Sequence, residues 1–239
     1  MSDEGAVVVV VGGTRAIGRE IAAHYAAAGR EVVITGRVRA HVDDAVGSMS
    51  GRVRGLVFDL CDLGAIAPAL ADVGPVRYLV LAAIDRDSNS VREYDIAAGL
   101  RLVTLKLVGY TEVVHTLLPR LDPGSSIVLF GGMAKERPYP GSTTVTTVNG
   151  GVVGLTRALV SELMPIRVNS IHPGVVGDTP YWSGKPAAIT RYTSQTPTDR
   201  LATTDDIVSA VVFLLENRSV NGIDLVVDGG WNTGVRIPG

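Results

Sequence analysis

The chain of 239 residues holds one cysteine, three phenylalanines and two tryptophans. A single thiol cannot form an internal disulfide, which fits a reducing compartment and makes Cys61 a small buried hydrophobe rather than a nucleophile. An excess of charge of one sign is also missing. Lys and Arg number 22 against 24 Asp and Glu, a formal net charge of -2 with no basic run, so nucleic-acid binding through phosphate neutralisation has no support. Long hydrophobic runs are absent too. The start, MSDEGAVVVVVGG, carries two acids and a short apolar stretch without the basic flank or length of a signal peptide or membrane span. These absences predict a cytoplasmic protein, off the membrane, whose ligands are small molecules, and no metal enters the reading.

What is present is apolar and finely punctuated. Hydrophobic residues make up 46% and glycines number 28, which suits a compact Val, Ala and Leu core crossed by tight turns. Strand-length apolar runs recur at 6–11, 31–35, 52–58, 76–82, 126–131, 166–171 and 223–228. They are continuous rather than alternating, as strands buried on both faces of a parallel sheet are. Helical periodicity lies between them at 16–28, 91–118, 142–163 and 204–215, with shorter stretches at 40–47 and 63–72. The pattern predicts one α/β domain over 1–239, a Rossmann-like doubly wound fold with a seven-stranded parallel sheet flanked by helices. Residues 173–203 are rich in Pro, Gly, Ser and Thr and have no clear period, so they read as a lid or substrate loop.

The first strand runs into VGGTRAIGREIA, which sets Gly12, Gly13 and Gly18 where strand turns into helix. Glycine lets the backbone turn sharply and approach a pyrophosphate, whose charge the free N–H groups at the helix start stabilise. The bland alternative is a glycine-rich turn with no ligand.

VGGTRAIG resembles the TGxxxGIG loop of the short-chain dehydrogenase/reductase family. The resemblance continues in register through FDLCD at 58–62, LLP at 117–119, GLTRAL at 154–159, RVNSIHPG at 167–174 and NGIDLVVDGG at 221–230, and so covers nearly the whole chain. It implies a nicotinamide dinucleotide held by Gly12, Thr14, Arg15, Ile17 and Gly18 in the loop. Further contacts fall to Arg37, to Asp59 for the adenine amino group, and to Leu60, Ala82, Asn149, Pro173, Gly174 and Val176. The family's middle loop glycine is Ala16 here, whose methyl group narrows the pyrophosphate space. Strand two ends in ITGR, with Gly36 and Arg37 where a carboxylate would select a free 2'-hydroxyl. Arg37 and Arg15 can pair with a 2'-phosphate instead, which favours NADP(H) over NAD(H). The alternative leaves both arginines as solvated surface residues.

The same register locates the family's proton-transfer groups. Its Tyr falls on Val145, its Lys on Asn149, its Ser on Gly132 and the Asn of its relay on Lys106. Reduction of a carbonyl generates an alkoxide that needs a proton, and a positioned acid contributes roughly 10²- to 10⁴-fold. Val145 cannot supply it. Strand four reads LAAI, with Ile84 where a glycine would let the cofactor pass. Lys106 and Asn149 look like a reciprocal exchange of the family's Lys and Asn, by which the Lys106 amine would reach toward position 149. Tyr139 and Lys135 border the expected pocket, and Tyr181, Trp182 and Tyr192 follow HPG, so each is a candidate donor or lid contact. Ser142 could touch a ligand, His172 reads as structural, and Asp178 or Thr179 would hold the nicotinamide amide.

Two readings remain open at this point. One is an atypical NADP(H)-dependent oxidoreductase; the other is a catalytically inactive NADP(H)-binding sensor, scaffold or partner subunit. In this family the helices at 91–118 and 142–163 pack against a second subunit, so a homodimer or homotetramer is implied.

Overall fold

The computed structural model describes residues 5–85 and 87–234; the acidic start at 1–4 lies outside them. Seven strands form one parallel sheet in the order β3-β2-β1-β4-β5-β6-β7. They are β1 (Val7–Val11), β2 (Glu31–Gly36), β3 (Arg52–Val57), β4 (Val76–Leu81), β5 (Leu121–Phe130), β6 (Arg167–Pro173) and β7 (Asp224–Val227). The chain winds outward from β1 to β3, then returns to lay β4 on the other side of β1. That reversal opens a crevice at the carboxyl ends of β1 and β4.

Every residue of β1 is buried because both sheet faces are covered. Val7, Val9 and Val11 point into one apolar layer with Leu79, Ile127, Val113 and Leu117, whereas Val8 and Val10 join Ile21, Val32, Val211 and Leu214 on the other side. Period-two alternation is thus present in the packing yet invisible in the sequence, since both faces demand Val, Ile or Leu.

The helices are α1 (Ala16–Ala27), α2 (Arg39–Ser48), α3 (Leu63–Leu70), α4 (Ile96–Val103), α5 (Tyr110–Leu117), α6 (Thr143–Glu162), α7 (Pro186–Ser194) and α8 (Thr204–Glu216). Two differences from the sequence expectation affect the site. The helix expected from 91 starts at Ile96, where the Asp95 carboxylate accepts the Ala98 N–H at 3.0 Å. Buried Asn89 fixes that cap through two hydrogen bonds with the Asp95 backbone, at 2.8 and 2.9 Å. A π-helical turn, Thr104–Gly109, then separates α4 from α5 and contains Lys106. The second difference is α7, which lies inside the expected loop at 173–203 with Pro186 in its first turn, a position where the missing N–H costs nothing.

Ala16 has φ +44°. This left-handed backbone disfavours a side chain by roughly 1–2 kcal/mol, and Ala16 occupies the position of the glycine that the resemblance assigns to the loop. Ala16→Gly is therefore expected to raise the thermal midpoint, by about 2–4 °C for each kcal/mol relieved in a chain of this size. A lowered midpoint in a melting curve would show that the methyl group packs to advantage.

Candidate cofactor and substrate site

The turn after β1 is built by contact between backbones. Gly12 has φ +85°, and a Cβ placed on it would lie 2.6 Å from the Ala83 backbone just past β4. A Cβ on Gly18 would lie 2.3 Å from the Gly12 carbonyl oxygen, so the first turn of α1 is pressed onto the loop. The Gly12 and Gly13 N–H groups both donate to Thr35 O at 3.2 Å, tying the loop to β2. The start of α1 has neither a side-chain cap nor an acid in its first turn. Its leading N–H groups are left to an external anion, and the cradle fits a pyrophosphate. Thr14 and Ile17 flank it half-buried, while Leu60 and Ala82 sit in and against the core.

At the adenosine end neither arginine stands alone. Arg15 Nη2 contacts the His41 ring, with Nδ1 at 2.7 Å. Arg37 Nη1 donates to Asp85 Oδ2 at 2.8 Å, and the same oxygen accepts from Arg101 Nε at 2.8 Å. Arg101 Nη2 continues to Asp59 Oδ2 at 2.9 Å, and Asp59 Oδ1 accepts the Cys61 N–H at 2.9 Å. Burial pushes the Asp59 carboxyl up, but the Cys61 N–H and the Arg101 guanidinium outweigh it and hold the group below the usual carboxylate range. The sequence reading missed Asp85 and Arg101. Asp85 was discoverable as the acid one residue beyond LAAI; Arg101 was not, because only the fold brings α4 to the ends of β2 and β3.

The positions that the resemblance assigns to proton transfer carry Val145, Asn149, Gly132 and Lys106. Val145 is half-buried in the first turn of α6. Asn149 is buried with its amide against Gly132, where a Cβ would lie 2.9 Å from Nδ2. Lys106 is 2% exposed. Its amine donates to Phe130 O at 2.6 Å and Tyr110 Oη at 3.1 Å, and Tyr110 Oη donates to Ala83 O at 2.6 Å. The amine is engaged by these two oxygens, and among the described residues no hydrogen bond joins Lys106 to Asn149. Burial lowers the Lys106 pKa from 10.5 to about 7 and raises that of Tyr110.

The other candidates are likewise engaged. Ser142 is buried, and its hydroxyl donates to Tyr139 O at 2.6 Å and accepts the Tyr139 N–H, so it closes a turn. Tyr139 itself is 55% exposed. Lys135 pairs with Glu136 at 2.5 Å. Asp178 accepts from Thr204 N and Oγ1 at the start of α8, and Thr179 Oγ1 donates to Val176 O at 3.0 Å. Val176 bridges to Ala202, and Gly174 N donates to Val227 O at 2.9 Å, which fixes the chain beyond Pro173. Ile84 is 61% exposed.

Tyr181 lies at one end of a series of aromatic contacts. Tyr181, Trp182, Tyr192 and Trp231 meet edge to face in series, with centroids 4.9, 5.5 and 6.0 Å apart. Lys185 Nζ lies 3.4 Å from the Tyr181 centroid and the Arg137 guanidinium 4.0 Å from that of Trp231. Cations cap both ends of the ladder.

His172 is fully buried under the Gly131–Gly132 turn. Its Nδ1 accepts the Gly132 N–H at 3.2 Å, so Nε2 bears the proton and faces Ser170 Oγ at 2.9 Å, which donates in turn to Asp224. Burial, with Lys135 adding to it, lowers the His172 pKa from 6.5 to about 4. A Cβ on Gly131 would lie 2.3 Å from the imidazole, so the ring shapes the floor under the position where the family holds its Ser.

A parallel sheet whose order reverses beside a glycine turn, with helix amides free at that reversal, defines a dinucleotide-binding α/β protein. The model of the enoyl-(acyl carrier protein) reductase family matches residues 11–232. L-Xylulose reductase of Mus musculus is 31% identical over 235 residues, covering 93% of this chain and 95% of its own. Carbonyl reductase [NADPH] 2 of Sus scrofa is 28% identical, covering 97% and 98%. The structure of a short-chain dehydrogenase/reductase (glucose/ribitol dehydrogenase) from Brucella melitensis superposes with a TM-score of 0.87 at 28% identity, covering 95% and 96%. The chain belongs to the short-chain dehydrogenase/reductase family of oxidoreductases. Among the described residues no group of His, Cys, Asp or Glu could hold a metal ion, and no helix is long and apolar enough to cross a membrane.

Both buried bases yield pH predictions with the same sign. Each has a folded pKa below its unfolded value, so the unfolded chain binds more protons between the two and stability rises with pH there. For His172 the window is about 4 to 6.5: the denaturant midpoint is expected to fall as pH drops through it, and His172→Asn to flatten that slope. For Lys106 stability is expected to climb above pH 7, and Lys106→Met to abolish the climb. Unchanged slopes in the variants would assign the pH dependence to other groups.

Proposed function

We propose that the protein binds NADP(H) at the carboxyl ends of β1 and β4 and serves as an oxidoreductase without a protein-held proton donor. The observation that carries this reading is the pairing of an intact anion cradle at α1 with Val145, Asn149 and Gly132 at the proton-transfer positions. The bound nicotinamide supplies or accepts hydride. The chain itself orients the partners and excludes water, and no side chain at 132, 145 or 149 can protonate an alkoxide. The acceptor that suits such a pocket is already cationic, such as a cyclic iminium. Hydride adds to its carbon, the C=N π pair moves to nitrogen, and a neutral amine forms with no proton required. Arg37 and Arg15, with no acid at the end of β2, support the phosphorylated cofactor, as does the cofactor in the printed name of the Sus scrofa relative.

A second reading, a sensor, scaffold or partner subunit that binds NADP(H) without turnover, draws on the apolar surface left on α4 and in the segments on either side of it. Val91, Ile96, Leu100 and Val108 are all exposed, and a patch of this kind marks an interaction site. We assign it to a second copy of the chain, in a homodimer or homotetramer.

Fluorescence titration with NADPH and NADH, followed by turnover assays on a ketone panel and on cyclic iminium ions, tests both readings. The first predicts tighter binding of NADPH, ketone rates lower than those of an acid-bearing reductase by roughly 10²-fold or more, and measurable iminium reduction. Binding without turnover of either class would favour the sensor. Rapid ketone reduction that is lost in Tyr139→Phe would contradict both.

A further inference from the structure

The adenosine end of the cleft carries an alternating chain of four charges drawn from four parts of the fold. Arg37 follows β2, Asp85 follows β4, Arg101 belongs to α4 and Asp59 follows β3. Asp85 is the hub, since its Oδ2 accepts from Arg37 Nη1 and from Arg101 Nε, both at 2.8 Å. The chain is neutral as a whole, two guanidinium groups against two carboxylates. It is also graded in depth, because the Arg37 side chain is 52% exposed and that of Asp85 only 19%. A phosphate monoester approaching Arg37 from solvent therefore meets a cation whose charge is already matched, with a carboxylate directly behind it.

We propose that Asp85 is a specificity-determining residue, an internal stand-in for the 2'-phosphate that holds Arg37 in place and sets how strongly the cleft prefers a phosphorylated adenosine. This rests on the NADP(H) reading above. A carboxylate and a phosphate on one guanidinium compete, since each offers acceptor oxygens to the same N–H groups and each repels the other. Preference for the 2'-phosphate is thus a difference between two occupants of Arg37. Arg101 makes the exchange feasible: when Arg37 turns to the phosphate, Asp85 keeps its bond from Arg101 Nε and is not left as an unpaired anion. Asp59 stays tied to Arg101 Nη2 and to the Cys61 N–H throughout.

The test is calorimetric binding of adenosine 2',5'-bisphosphate and of adenosine 5'-diphosphate to the full chain, in wild type, Asp85→Asn, Arg37→Ala and the double variant, with circular dichroism to confirm folding. Removal of the competing charge should tighten binding of the 2',5'-bisphosphate by about tenfold, the scale of one charge-assisted hydrogen bond, and leave the 5'-diphosphate within about twofold. The gain should vanish in the double variant. An unchanged or reduced preference in Asp85→Asn overturns the proposal, as does a gain that persists without Arg37. If the wild type binds neither nucleotide, the NADP(H) reading falls together with it, whereas binding that ignores Asp85 removes the present inference alone. Should Asp85→Asn misfold, Asp85→Ser provides the same loss of charge, and raised salt should erode the wild-type preference for the 2',5'-bisphosphate if Arg37 carries it.

Discussion

The cleft depends on how closely the turn after β1 approaches the end of β4. Gly12 lies against the Ala83 backbone with no room for a side-chain carbon, and that contact aligns the free amides of α1 with the crevice where the sheet order reverses. Further ties run from the same point. The Ala83 carbonyl accepts from Tyr110, Tyr110 accepts from Lys106, and Lys106 donates to Phe130 O, one residue before the glycine turn that covers His172. The ends of β1, β4, β5 and β6 are thereby cross-linked beneath the pocket by hydrogen bonds that are buried and so strong.

This arrangement explains what has become of the residues at the proton-transfer positions. A lysine inside the π-helical turn after α4 could have carried charge toward the nicotinamide, but its amine is consumed in bracing two strand ends. Asn149 fills space against Gly132, and His172 remains neutral because burial penalises its cation. Charge collects at the adenosine end instead, where two Arg and two Asp side chains neutralise one another.

The fold was legible because its signals are local. Val runs of strand length and the glycines after β1 both act within a few residues. The start of α4 was not legible, since the residues from Val91 to Asp95 have helical composition, and buried Asn89, reaching across to the Gly141–Thr143 backbone, together with the Ser90–Glu93 turn, holds them out of the helix. The helix α7 was hidden in a segment of weak period that is ordered by contacts among distant aromatic rings. At the site, counting along the chain identified what stands at 106, 145 and 149 but not where the Lys106 amine points, because that is decided by a carbonyl on β5. The Asp59–Arg101–Asp85–Arg37 chain was invisible for the same reason, as it joins residues from four elements.

We infer that this chain holds a dinucleotide in a cleft that offers no acid to the reacting carbon. A crystal structure of the NADPH complex tests it most directly. The expected complex has the pyrophosphate over residues 14–18, the 2'-phosphate on Arg37, and no Tyr, Lys, His or Ser side chain within hydrogen-bond reach of a substrate atom placed over the nicotinamide. A complex in which Tyr139 or Lys106 moves to meet that position, or in which the phosphates leave α1 uncontacted, would contradict it.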